Sequence, residues 1–209
     1  MLKDEIQEFV LTHGVGFATD PSRWYQGGLT LPYDIATESE FPEAGDCRRI
    51  WDLLDIDIER DIKDATIFDI CCNTGYYAMR SVEEGAVIAT GFDGHASAIE
   101  AAQRFAAWKD IARVSFVLSD IKDFEWETVY DTVFFLQVLY HLDDPARYLK
   151  WALSACRGLM VLIVKDTLPW PEDELRMRLD DCDFQVEDRY PDPLAAGKVI
   201  VKGRRHDRK

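Results

Sequence analysis

Positive charge is scarce in this chain of 209 residues: 24 lysines and arginines face 39 aspartates and glutamates, for a formal net charge of -15. A field of that sign repels phosphate backbones and anionic bilayers, so nucleic acid is not the default partner. Long apolar runs are missing as well. The longest, Leu159 to Val164, is far too short to span a membrane, and the start of the chain, with Lys3, Asp4, Glu5 and Glu8, carries no signal-peptide core. A soluble, cytoplasmic protein is expected. The five cysteines, Cys47, Cys71, Cys72, Cys156 and Cys182, are odd in number and lack metal-ligand spacing. Cys71 and Cys72 are neighbours, poorly placed for a structural disulfide, so buried thiols in a reducing compartment are expected. With four histidines they compose neither a metal site nor a nucleophile–base–orienter set. Repeats and low-complexity tracts are absent.

What is present suits one domain. At 47% hydrophobic and 12% aromatic residues the chain can bury a sizeable core. Residues 1–62 read as an N-terminal cap on a main domain of residues 63–209. Ile6, Phe9 and Val10 mark one face of a short helix. Gly14, Gly16, Pro21, Gly27, Gly28 and Pro32 then punctuate loops, in which Trp24, Tyr25, Leu29 and Leu31 are too apolar to stay unpacked. A second helix is expected around Ile50 to Leu54. The basic cluster Lys202–Lys209, with Arg204, Arg205 and Arg208, reads as a solvated, frayed terminus, with contact to nucleic acid as the alternative.

From Ala65 the pattern alternates. Strands are expected at Thr66–Ile70, Val87–Phe92, Val114–Leu118, Thr132–Leu136 and Leu159–Val164, and helices at Tyr76–Glu84, Ala96–Trp108, from Asp144-Pro145, and at Glu172–Leu179. Phe184–Glu187 and Lys198–Lys202, joined through Pro191, Pro193 and Gly197, read as an antiparallel pair closing the sheet. The expected fold class is α/β: a mostly parallel sheet with helices on both faces and an antiparallel C-terminal strand.

Candidate site residues fall at strand ends, where open α/β sheets hold ligands. Asp69 lies at the end of the first strand, Asp93 at the end of the second, Asp120 after the third and Gln137 after the fourth. A carboxylate after the second strand suits ribose hydroxyls and repels a 2′-phosphate. The turn Cys71-Cys72-Asn73-Thr74-Gly75 lacks the G-x-G-x-x-G that seats a pyrophosphate, and Asp69 before it would oppose a second anion. A cationic ligand without phosphate fits better.

On these residues the chain resembles the class I S-adenosylmethionine-dependent methyltransferases, whose first motif runs D/E-x-G-x-G-x-G along Asp69 to Gly75. The stretches Tyr130 to Val133 and Gln137 to His141 look like that family's fourth-strand motif. The resemblance implies a Rossmann-like sheet over roughly Ala65 to Val201 and S-adenosyl-L-methionine as cofactor. It places the methionine part at Asp69, Cys71, Asn73, Gly75 and Tyr76. The ribose would lie at Asp93 and Gly94, the adenine at Asp120 and Ile121, and Gln137 close by. Cys71 and Asn73 replace glycines of the motif. Tyr140 and His141 are the catalytic candidates; Trp24 with Tyr25 either plugs the N-terminal segment onto the sheet edge or forms a lid over the transferable methyl. Val138-Leu139-Tyr140-His141 before Asp144-Pro145, with Trp24-Tyr25 ahead of Leu31-Pro32, is similar to the branch containing the bacterial tRNA wobble-uridine carboxymethyltransferase. The expected acceptor is a small molecule. A tRNA base, or cofactor binding without turnover, are the alternatives.

Overall fold

The apolar run Thr66–Ile70 forms an interior strand of the sheet in a computed structural model that describes residues 2–15, 22–41, 45–125, 128–165 and 169–206. Gly16, Pro21, Arg208 and Lys209 lie outside the described residues. In chain order the principal elements are α1 (Leu2–Thr12), α2 (Cys47–Leu53), α3 (Ile58–Asp61), β1 (Thr66–Ile70), α4 (Tyr76–Glu83), β2 (Ile88–Asp93), α5 (Ala96–Trp108), β3 (Val114–Leu118) and β4 (Tyr130–Leu136). Then follow α6 (Pro145–Ser154), β5 (Cys156–Lys165), α7 (Glu172–Asp180), β6 (Phe184–Pro191) and β7 (Lys198–Arg205). The sheet order is β6-β7-β5-β4-β1-β2-β3; β7 runs antiparallel to both its neighbours and the other pairings are parallel. The α/β expectation therefore holds, including the antiparallel closure.

Local chemistry explains the boundaries. Asp144 accepts the Arg147 N–H at 3.1 Å ahead of Pro145, so α6 begins on a carboxylate cap followed by proline. Asp46 caps α2 in the same way. At the end of the sheet remote from the strand tips, Asp131 accepts from the Thr66 N–H and hydroxyl, each at 2.8 Å, and from Arg157. The guanidinium beside it holds its carboxyl down at about 2. This staple fixes the starts of β1, β4 and β5 against one another.

Two apolar clusters cover the two faces. One joins Ile6, Trp24 and Trp51 of the N-terminal segment to Phe105, Phe134, Ile163 and Ile200; the other holds Phe68, Phe92, Phe135, Leu149, Leu162 and Val199. Each large side chain buried this way stabilises the fold by about 1.5–3 kcal/mol. The loops of the N-terminal segment contain two small pairings, Arg23–Trp24 with Glu38–Ser39 and Thr30–Leu31 with Ile35–Ala36.

One expectation is corrected. Residues 202–205 are neither frayed nor a free basic patch: they continue β7. Lys202 donates to the Asp55 carbonyl at 2.9 Å and pairs with Asp188 at 2.8 Å. Arg204 reaches Asp61 at 2.8 Å and Glu187 at 2.7 Å, and Arg205 donates to the carbonyls of Cys156 and Leu153. Charges that looked unpartnered along the sequence find acids and carbonyls brought in by distant segments. At the opposite border of the sheet, β3 is the last strand, with Val117 and Leu118 40% and 55% exposed.

Candidate functional site

The chain turns after β1 through three left-handed residues, Cys71 (φ 54°), Asn73 (φ 49°) and Gly75 (φ 75°). Glycine is needed at position 75 twice over. Besides the positive φ, a Cβ there would lie 2.3 Å from the Phe116 ring of β3. Cys71 adopts a glycine-like conformation, and its half-buried side chain packs against the cluster of Phe68 and Phe92. That packing is how a thiol takes the place of the motif's first glycine. Burial pushes the thiol well above its ordinary pKa, with Asp93 adding to the shift, so it is no nucleophile.

Three carboxylates surround this turn. Asp69 is 2% exposed, accepts the Ala78 N–H at 3.3 Å, and is pushed up to about 8, chiefly by burial. Asp93, at the end of β2, accepts the Asn73 N–H on one oxygen at 3.0 Å and the His95 N–H on the other at 2.9 Å. It thereby ties the first turn to the start of α5. Asp120 accepts the Lys122 N–H at 2.9 Å, and its Cα would lie 3.8 Å from a Cβ at Gly94. Asp69, Cys71, Asn73, Gly75, Asp93, Gly94 and Asp120 are thus gathered at the carboxyl edge of β1, β2 and β3. Ile121 packs against the second apolar cluster beside them.

The next strand end supplies a different set. Gln137 (φ 62°) donates its N–H to the Ile163 carbonyl, and its Oε1 accepts from Lys198 at 2.6 Å. Tyr140 and His141 follow in a 3-10 turn, ring centroids 4.4 Å apart, with the Lys165 ammonium 4.9 Å from the Tyr140 ring. Burial raises the Tyr140 hydroxyl, with Tyr25 and Asp192 contributing. Burial and then Lys165 and Lys198 lower His141, which is therefore neutral near pH 7. Tyr25, edge-on to Phe41 at 6.0 Å, lies near enough to Tyr140 to act on its hydroxyl and so brings the N-terminal segment to this side.

Two candidates lie elsewhere. Trp24 is fully buried between Phe9 and Phe105, its indole N–H donating to the Val10 carbonyl, so it plugs the core and is no lid. Tyr76 turns toward Cys47 and Arg48 and lines a cavity of about 310 Å³ with Trp51, Arg80 and Lys109, away from the carboxylates. Residues overlooked in the sequence are His95, Lys165, Lys198 and Asp192. Lys165 was legible as the first charge after the apolar run Leu159 to Val164. Among the described residues no cluster of metal-ligating side chains forms, and no helix is long and apolar enough to cross a membrane.

A family model described as a methyltransferase domain matches residues 61–188. A tRNA U34 carboxymethyltransferase of Helicobacter pylori is 29% identical over 151 residues, which cover 69% of this chain and 54% of that protein. Another, from Sulfurimonas denitrificans, is 33% identical over 103 residues, covering 47% and 32%. The chain spans about a third to a half of the length of these curated relatives. A magnesium protoporphyrin IX methyltransferase of Synechocystis, solved with bound S-adenosylmethionine, shares the fold with a TM-score of 0.70 at 17% identity, covering 98% of this chain and 97% of that one.

Proposed function

Because the chain belongs to the methyltransferase-domain family, we propose that it transfers a methyl group from S-adenosylmethionine to a small-molecule acceptor, the cofactor lying along the carboxyl edge of β1, β2 and β3. The observation that carries the reading is the placement of three carboxylates around a turn of left-handed residues. That turn presents backbone without a phosphate cradle, and a cationic amine suits the otherwise uncompensated Asp69. Asp93 would hold the ribose hydroxyls, and Asp120 with Gly94 and Ile121 the adenine. When bound, the cofactor supplies a sulfonium-activated methyl group. Tyr25 and Tyr140 form an aromatic, water-poor wall beside the place where that charge disappears. Neutral His141 is available to take a proton from the acceptor. Positioning supplies much of the acceleration, so no obligatory catalytic residue is required. Residues 1–62 cap the site on the acceptor side.

Calorimetry with S-adenosylmethionine and S-adenosylhomocysteine tests the cofactor. Both should bind, and Asp93→Ala should weaken binding roughly ten- to a hundredfold, the effect of losing hydrogen bonds to a charged group. No heat from either ligand at millimolar concentration overturns the reading. Binding without turnover of any acceptor would favour a degenerate cofactor-binding protein. A tRNA acceptor is the second reading, supported by the names of the curated relatives. It gains nothing from Lys202, Arg204 and Arg205, which are engaged within the protein, and retention of tRNA on the immobilised protein at low salt would restore it.

A further inference from the structure

Lys165 ends β5, Lys198 begins the antiparallel β7, and the two are direct partners in the strand register. Direct partners project from the same face of a sheet with Cβ atoms about 5 Å apart, and like charges placed so are destabilising. Among the described residues neither ammonium has a carboxylate within ion-pair distance, although the chain carries 39 acidic residues. Lys198 instead donates to Gln137 Oε1 at 2.6 Å, and Lys165 lies over the Tyr140 ring. Among the described residues the acid whose field reaches Lys198 is Asp192, 4% exposed, with one oxygen accepting the Leu194 N–H at 2.9 Å and the other without a hydrogen-bond partner. Its field favours the Lys198 ammonium, yet burial and Lys165 outweigh it and lower Lys198. Two cations against one carboxylate leave room for a single negative charge, at the sheet edge that carries Gln137, Tyr140 and His141.

We propose that Lys165 and Lys198 form the subsite for a carboxylate carried by the acceptor, which makes the substrate a small carboxylic acid with an apolar body seated between Tyr25 and Tyr140. This rests on the methyltransferase reading above and specifies its acceptor. A bound carboxylate removes the cross-strand repulsion and satisfies both ammonium groups. The carboxylate end is held at β5 and β7, and the rest of the molecule extends past His141 toward the cofactor side of the crevice. Phosphate, with up to two charges and no flat apolar body, suits the aromatic wall less well.

The test titrates benzoate, and separately inorganic phosphate, into the protein saturated with S-adenosylhomocysteine. Benzoate should bind, more tightly than phosphate. Lys165→Met, at an exposed position, and Lys198→Met should each weaken benzoate at least tenfold, whereas Lys150→Met on α6 should leave it at the wild-type value. The heat of S-adenosylhomocysteine is measured first. Its absence defeats the cofactor reading itself. Its presence, with benzoate failing to bind the wild type or binding both lysine variants as tightly as the wild type, overturns the subsite alone. Phosphate bound more tightly than benzoate overturns the assignment to a carboxylate.

Discussion

Asp69 is pushed up to about 8 because burial outweighs the one backbone N–H it accepts, so at pH 7 much of it is protonated. A cationic amine beside it reverses that balance, and binding of S-adenosylmethionine at pH 7 should therefore release protons. Calorimetry in phosphate and in Tris reads this directly, since the two buffers take up protons with different heats; equal binding heats would remove Asp69 from the amine site. The same shift has a stability sign. The folded-state pKa lies above the unfolded value of about 3.9, so the contribution of Asp69 is complete below that pH and lost as pH rises toward 8. Asp69→Asn should flatten the fall in melting temperature of the ligand-free protein across that window. Cys71 belongs to the same scale. Its role as a stand-in for glycine was visible in the motif, but its left-handed φ and its packing on Phe68 and Phe92 were not, because that packing is made with two strands that only the fold brings together.

At the scale of elements, the turn between β1 and α4 is locked to β3 through Gly75, which leaves no room between its backbone and Phe116. Gly75→Ala combines a positive φ, about 1–2 kcal/mol for an ordinary residue, with a 2.3 Å approach to that ring. The expected loss is ~2 kcal/mol or more, read by chemical denaturation; a loss under ~0.5 kcal/mol would show that the ring gives way freely. The strands and helices from Thr66 onward were legible because apolar runs and helical stripes are local signals. α3 and the two-residue pairings of the N-terminal segment were not, since tertiary partners rather than propensity hold them. The C-terminal strand was read three residues short because Arg204 and Arg205 look like solvent-facing charge until Asp61 and the Cys156 and Leu153 carbonyls are brought beside them. The site shows the same division. Carboxylates at the ends of parallel strands announce themselves by position. Lys198 does not, because it sits at the beginning of a strand that runs the other way.

For the molecule as a whole, one apolar cluster contains Ile6, Trp24 and Trp51 together with Phe105, Phe134 and Ile200, so the N-terminal segment and the sheet share a core. Heating should give one cooperative transition for the intact chain and none for a fragment of residues 63–209. Two resolved transitions, or a fragment that melts cooperatively alone, would show instead that the segment is an independent unit. The sheet that this core supports ends at β3, whose outer backbone edge has no strand beside it among the described residues and whose Val117 and Leu118 meet solvent. Such an edge is a template for strand-to-strand stitching between copies, and a net charge of -15 opposes it. Acid removes that repulsion while leaving the edge in place. The lower limit of the protein's usable pH range is therefore colloidal: molecules that are still folded would come out of solution before they lose their structure.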